Sequence, residues 1–171
     1  MSDGVRVVVS GGTWMGGALG SVETAMGELL EGAQDEVLVA AYAISAAAPG
    51  WFERIEALPE RGVRVRVLVN RLGGQAPAAQ ARLRALARRY APLAEVASFE
   101  PAGRRSDLHA KVVVVDRRRA LVGSANLSLR GLQANHELAV LVEGPAAAEI
   151  ASALMLLWRS PCTFLVGGDH R

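Results

Sequence analysis

Stretches with strand-like and helix-like patterning alternate along this chain, and no other feature limits its fold so tightly. Residues 5–9 read as a short buried strand, followed by a glycine-rich run and a helix over about 21–32. Residues 37–44 are apolar and β-prone, 51–61 are helical in pattern, and Gly62 then releases the chain into a strand over 63–69. An arginine-studded helix over 77–90, a strand over 94–99 and a loop over 101–106 come next. A strand over 108–115 then leads through a turn at 116–119 into a strand over 120–122, a turn at 123–126 and a helical turn. A strand over 137–142 and a helix over 145–159 close the pattern, with Pro145 in the first turn, where its missing N–H costs nothing. Alternation of this kind defines the α/β class.

With 171 residues, no internal repeat and no linker rich enough to split the chain, the expectation is one domain spanning 1–171. Half of the residues are hydrophobic but few are aromatic, so the core should be aliphatic. The formal charge of +2 permits a polyanionic partner without demanding one. Cys162 is the sole cysteine, which excludes an intramolecular disulfide framework and a multi-cysteine zinc site. No charged leader runs into a long apolar stretch, and no segment approaches the roughly 18 apolar residues of a membrane span. The expectation is a cytoplasmic protein without stable membrane association.

Two local patterns invite a functional reading and do not sustain it. Gly11 and Gly16 have the spacing of a phosphate loop, but Gly17-Ala18 stands where Lys and Ser/Thr would hold phosphate and magnesium. Arg64 and Arg66 alternate on one face of their strand, which reads as the solvent-facing side.

The basic residues hold a sharper signal. Of nineteen, eighteen are arginine, and the single lysine, Lys111, stands two residues after His109 at the head of an unbroken valine run. Lysine differs from arginine in being a compact, rotatable ammonium without a planar fork, which suits gripping a phosphate oxygen in a tight pocket. The stretch reads H-x-K, four residues, D, six residues, G-S-x-N, that is His109, Lys111, Asp116, Gly123, Ser124 and Asn126. Six specified residues at fixed spacing have a far lower false-positive risk than a lone glycine motif.

This pattern resembles the phospholipase D superfamily, whose H-K-D signature is followed by G-S-x-N and then, some ten residues on, by a glutamate that Glu137 matches. The stretches 36–42 and 61–68 look like that family's preceding strands, so the resemblance covers about 21–159. It implies a single α/β/α sandwich around a mixed central sheet. It also implies a metal-independent phosphodiesterase without cofactor, since lysine and histidine take over charge stabilisation and nucleophile generation. The chain has one H-x-K where family members use two, and single-motif relatives such as the small bacterial endonucleases complete the site as a homodimer.

Strand geometry refines the roles. In an extended strand His109 and Lys111 face the same way, whereas Asp116, at odd separation, faces the other way and lies ~23 Å from His109. Asp116 is therefore expected to be structural, tying down the turn and the arginines after it. The imidazole of His109 then needs another acid to fix its tautomer, and Glu137 is the candidate. His109 is the expected nucleophile, forming a phosphohistidine, with Lys111, Ser124 and Asn126 binding the non-bridging oxygens. His136 and His170 lack the x-Lys context and read as ordinary surface or satisfied histidines.

The single motif, the small size and the arginine clusters favour nucleic acid as substrate, with Arg104 and Arg105, just before the His109 strand, best placed to meet a phosphate backbone. Lipid hydrolysis or phosphatidyl transfer is the alternative, but Trp51-Phe52 and Trp158 sit at helical spacing with other apolar residues and read as core. A further alternative is a nucleic-acid-binding subunit. The short phospholipase D-like subunits of bacterial phage-defence operons such as DISARM show a similar general pattern.

Overall fold

A computed structural model describes residues 4–14, 19–103 and 106–167. Its strands are β1 (Val5–Ser10), β2 (Gly20–Ser21), β3 (Glu36–Ala41), β4 (Arg64–Asn70), β5 (Ala94–Phe99), β6 (Val112–Val115), β7 (Arg119–Gly123), β8 (Glu137–Glu143) and β9 (Thr163–Leu165). The α-helices are α1 (Val22–Glu31), α2 (Trp51–Glu60), α3 (Pro77–Arg89) and α4 (Pro145–Trp158). All described strands join one sheet in the order β2-β1-β8-β7-β6-β3-β4-β5-β9. β3, β4 and β5 run parallel, while β6, β7, β8 and β1 form an antiparallel run beside them. The sheet is thus mixed, as expected for this fold.

Helix placement follows from apolar spacing. In α1, Val22, Ala25, Met26, Leu29 and Leu30 recur at helical period and are buried, and Ser21 caps the helix by accepting from the Thr24 N–H at 3.3 Å. In α2, Trp51, Phe52, Ile55 and Leu58 are buried in the same layer, so the tryptophan-phenylalanine pair is core. With α3 these helices cover one face of the sheet, and α4 alone among the described helices covers the other through Ala147, Ala151 and Leu154. Two apolar layers therefore sandwich the strands.

Because β3, β4 and β7 run opposite to β6 and β8, one edge of the sheet gathers the ends of β1, β3, β4 and β7 and the starts of β6 and β8. Every motif residue except Asp116 falls at that edge.

The structure corrects two expectations about this frame. The strand predicted over 108–115 begins only at Val112, because β3 stops at Ala41 and offers no ladder beyond it, and the Leu108 N–H turns to the side-chain Oδ1 of Asn70 at 2.9 Å. Arg66 does not simply face solvent. β4 is an interior strand, and the half-buried guanidinium meets Glu95 at 2.7 Å and Glu36 at 3.8 Å beneath α4, with Trp158 5.9 Å away. Arg64 is exposed.

Candidate active site

Residues 107–111 enter the sheet edge as an extended lead-in whose alternation survives although β3 offers it no ladder and β7 reaches it at the Lys111 carbonyl, which accepts from the Gly123 N–H at 3.2 Å. Leu108 is buried and Ala110 packs beside it under α4, while His109 stays exposed and Asp107 and Lys111 share its parity. The Lys111 ammonium lies 3.0 Å from Nδ1 and 3.4 Å from Nε2 of His109, and donates to the His109 carbonyl at 2.8 Å. Tyr42, just past β3, packs on the pair, its ring centroid 4.5 Å from that of His109 and 5.1 Å from Lys111 Nζ. Burial of the lysine stem pushes the Lys111 pKa below its ordinary value, and the negative charge of Glu137 partly opposes that shift.

Ser124 follows the last residue of β7, one strand from Lys111 and one strand from Glu137. The close approach of β7 to β8 requires Gly123, where a Cβ would overlap the Cβ of Ala139. The Ser124 hydroxyl donates to Glu137 Oε2 and accepts from the Leu138 N–H at 3.3 Å. The other carboxylate oxygen of Glu137 accepts from Asn135 Nδ2 at 3.1 Å. Glu137 thus meets Ser124 and Asn135, and through space Lys111, rather than the ring of His109. Asn126 is half-buried two residues past Ser124, and its Oδ1 is buried without a hydrogen-bond partner among the described residues. Unspent polar capacity at the floor of a site is what a ligand-binding amide carries before the ligand arrives.

The loops that hold these groups depend on residues without a motif signature. A π-helical turn, Arg130–Ala134, lies against the Asn126 backbone at Gly131, where a Cβ would collide with the Asn126 carbonyl. Ser10 at the end of β1 clamps that turn by donating to the carbonyls of Gly131 at 2.9 Å and Asn135 at 3.0 Å. On the other flank, Asn70 is 5% exposed and fixes Leu108, one residue before His109. Gln75 donates to the carbonyls of Tyr42 at 3.0 Å and Asn70 at 2.7 Å and accepts from the Ile44 N–H at 3.0 Å. Arg71, in a left-handed conformation with φ 41°, grips Asp107 at 3.0 Å and the Gly103 carbonyl at 2.6 Å. That pairing, helped by Asn70, holds the Asp107 carboxyl below its ordinary pKa, so an anion faces the His109 side of the site. Tyr42, Asn70, Arg71, Gln75 and Asp107 line an open pocket of about 510 Å³ there.

Asp116 stands at the opposite edge of the sheet. With Arg117 it forms the left-handed pair of a β6–β7 turn, φ 52° and 53°, a conformation that aspartate tolerates better than most residues. Its carboxylate accepts from the backbone N–H groups of Gln34, Asp35 and Glu36 at 3.0, 2.8 and 2.9 Å. The residue that it ties down is therefore the entry to β3, and the arginine after it is held separately, by Glu36 at 3.7 Å and Ser152 at 3.2 Å. Arg104, Arg105 and His170 lie outside the described residues. His136 is exposed against Trp14. Among the described residues no cluster of three or more His, Cys, Asp or Glu side chains is placed to hold a metal ion, and no helix is long and apolar enough to cross a membrane.

A mixed sheet that carries an H-x-K pair and a G-S-x-N turn on adjacent strand ends defines a phospholipase D-like domain. The comparisons give that class a family. The model described as "Cardiolipin synthase, PLD-like domain" matches residues 26–158, and the chain belongs to this family. The DISARM protein DrmC of Bacillus paralicheniformis is 33% identical over 131 residues, 76% of this chain and 53% of its own length. The chain therefore spans about half of the curated relative that it matches. Two solved structures share the fold, each with a TM-score of 0.74. The phospholipase D family member Nuc from Salmonella typhimurium is 21% identical, covering 92% of this chain and 95% of its own, and NucT from Helicobacter pylori is 18% identical, covering 95% and 100%. Phosphatidylserine synthase from Haemophilus influenzae, 17% identical with a TM-score of 0.72, covers 94% of this chain but contributes only 39% of its own.

Proposed function

We propose that this protein is a cytoplasmic phosphodiesterase that cleaves nucleic acid by way of a phosphohistidine, without a metal ion, in a site shared between two copies of the chain. The observation that carries this reading is the contact of Lys111 with both ring nitrogens of an exposed His109, one strand from Ser124. The family, and the fold shared with Nuc and NucT along nearly their whole length, support it.

In the first step, the lone pair of neutral His109 attacks phosphorus, a P–N bond forms, and the P–O bond to the leaving strand breaks. The leaving oxygen takes a proton from His109 of the partner subunit, since an in-line displacement needs its acid on the side opposite the nucleophile. That second imidazole, now neutral, removes a proton from water. The water oxygen attacks phosphorus, the P–N bond breaks, and both histidines return to their starting states. Lys111 and Asn126 hold the non-bridging oxygens. Ser124 joins them by turning its proton from Glu137 to the phosphate, which frees Glu137 Oε2 to accept from an imidazole N–H. Arg104 and Arg105 contact the phosphate backbone beyond the site.

The deciding experiment is cleavage of DNA and RNA in excess EDTA with sedimentation under the same conditions. Retained cleavage by a dimer is expected. Release of head groups from phospholipid vesicles with nucleic acid left intact would move the protein to the lipid-acting branch, and full activity of a strict monomer would end the shared-site mechanism. The likeness to a DISARM protein favours a second, alternative reading, a nucleic-acid-binding subunit of a phage-defence assembly whose turnover depends on partner subunits. Tight, salt-sensitive nucleic-acid binding without turnover by the isolated protein is what that dependence predicts.

A further inference from the structure

The glycine-rich run after β1 is no phosphate loop, but it delivers an exposed tryptophan to the catalytic edge of the sheet. Ser10 pairs with Glu137 in the β1–β8 register, and Gly11, at φ 95°, lets the chain turn tightly over Asn135, where a Cβ would come within 2.8 Å of the Asn135 carbonyl. A Trp14 N–H to Gly11 carbonyl bond of 3.1 Å closes the turn. Trp14 then stands against His136, the residue before Glu137, with ring centroids 5.8 Å apart at 90°. In an edge-to-face pair the edge of one ring covers at most a single face of the other, so the contact steers the indole and leaves at least one of its faces clear of His136. Trp14 remains 38% exposed, in contrast to Trp51 at 1%.

Strand order sets the scale of the distance between the turn that carries this ring and the chemistry. Three strand steps of ~4.8 Å, β1 to β8 to β7 to β6, put the end of β1, from which the turn leads to Trp14, about 14 Å from the start of β6, which Lys111 precedes. That separation suits a group attached next to the reacting phosphate rather than the phosphate itself. An exposed indole offers little to a charged backbone but a large face to a flat, unpaired base, and a duplex keeps its base faces stacked inside.

We propose that Trp14, braced by His136, is a stacking platform for an unpaired base flanking the phosphodiester at His109 and Lys111, so that the substrate is single-stranded nucleic acid. The inference rests on the nuclease reading above for the meaning of the site, though its binding step can be tested alone. The test compares the full-length protein, Trp14→Ala and Trp14→Phe in binding a short oligothymidylate, the same oligomer with abasic positions, and a duplex. Turnover of the oligomer and of bis(p-nitrophenyl) phosphate is measured alongside.

Trp14→Ala should weaken oligothymidylate binding about tenfold, Trp14→Phe should keep most of the affinity, and the abasic oligomer should bind all three alike. The small ester, which has no base, should turn over equally in all. Unchanged oligomer affinity in Trp14→Ala, preference for duplex, an equal loss on the small ester, or a change of oligomeric state on sedimentation would each overturn the platform. So would loss of binding to anionic phospholipid vesicles in place of nucleic acid. Binding through Trp14 without cleavage of any phosphodiester would sink the nuclease reading and leave the platform standing.

Discussion

The β6–β7 hairpin carries motif residues at both ends, and the two ends are built by opposite rules. At the open end His109, Lys111 and Ser124 are half-buried or exposed, Lys111 touches His109, Ser124 touches Glu137, and the buried Asn126 Oδ1 has no hydrogen-bond partner among the described residues. At the turn end both carboxylate oxygens of Asp116 are spent on backbone N–H groups, and Arg117 is held by an acid and a hydroxyl. Spare polar capacity marks the end that meets a ligand, and saturation marks the end that holds the fold. On the proposed function, neighbours in one motif divide between binding a phosphate and fixing the strand that presents it.

The contrast breaks first at its strongest point. His109→Ala should lower turnover by about 10⁴-fold or more while leaving the thermal midpoint nearly unchanged, because the imidazole is exposed and supports little of the core. Lys111→Arg should also lose most activity, since a planar fork cannot take the position of the compact ammonium against the imidazole. A His109→Ala protein that unfolds early would erase the distinction between the two ends.

The reverse pattern is expected at the turn. Asp116→Ala removes the acceptor of three backbone N–H groups and leaves alanine in a left-handed conformation, so about 3 kcal/mol of stability should be lost in a denaturant titration. Turnover per folded molecule should stay within about twofold. Asp116→Asn keeps an acceptor oxygen and a residue suited to the conformation, and should cost only about 1 kcal/mol. A large fall in turnover at full stability would instead make Asp116 part of the chemistry.

What could be read from the sequence follows the same division. The residues at the open end were legible because their chemistry fixes both residue type and spacing, and the helices because apolar side chains recur at 3.6 residues. The structural nature of Asp116 was legible from parity, but its partners were not, since Gln34 to Glu36 lie some eighty residues earlier and offer only backbone. Asn70, Arg71 and Gln75 were missed for the same reason, as each acts largely on main-chain groups, which leave no trace in residue type. The strand was drawn too long at 108–111 because a two-residue alternation survives where the side chain of Asn70 at the end of β4, rather than a β3 ladder, holds the chain. β9 is too short to show a period at all. Glu137 was legible as an acid of the site, and its engagement by Ser124 and Asn135 was not.

Asn70, the last residue of β4, serves the open end from its flank. Asn70→Ala strands the buried Leu108 N–H, which should cost about 1–2 kcal/mol of stability. It should also lower kcat by about tenfold, because His109 is the next residue and a small displacement of a nucleophile is costly. A stability loss with kcat intact would show that the lead-in keeps its course without Asn70.

The smallest expected effect is a shift of pH dependence, and it sharpens the comparison because it isolates charge at the open end. Lys111 must be an ammonium to hold phosphate, so activity should fall as pH rises through its pKa, and burial has already brought that pKa below the ordinary lysine value. Glu137→Gln removes the negative charge that opposes the shift, so the alkaline limb of kcat/KM should move to still lower pH. Stability should run the other way. A lysine whose pKa is lower folded than unfolded leaves the unfolded chain binding more protons between the two values, so folding gains as pH rises through that window. Opposite slopes of activity and stability in one alkaline range would be the signature of a lysine placed for its ligand rather than for the fold. An alkaline limb that stays fixed in Glu137→Gln would show that the carboxylate acts on Ser124 alone.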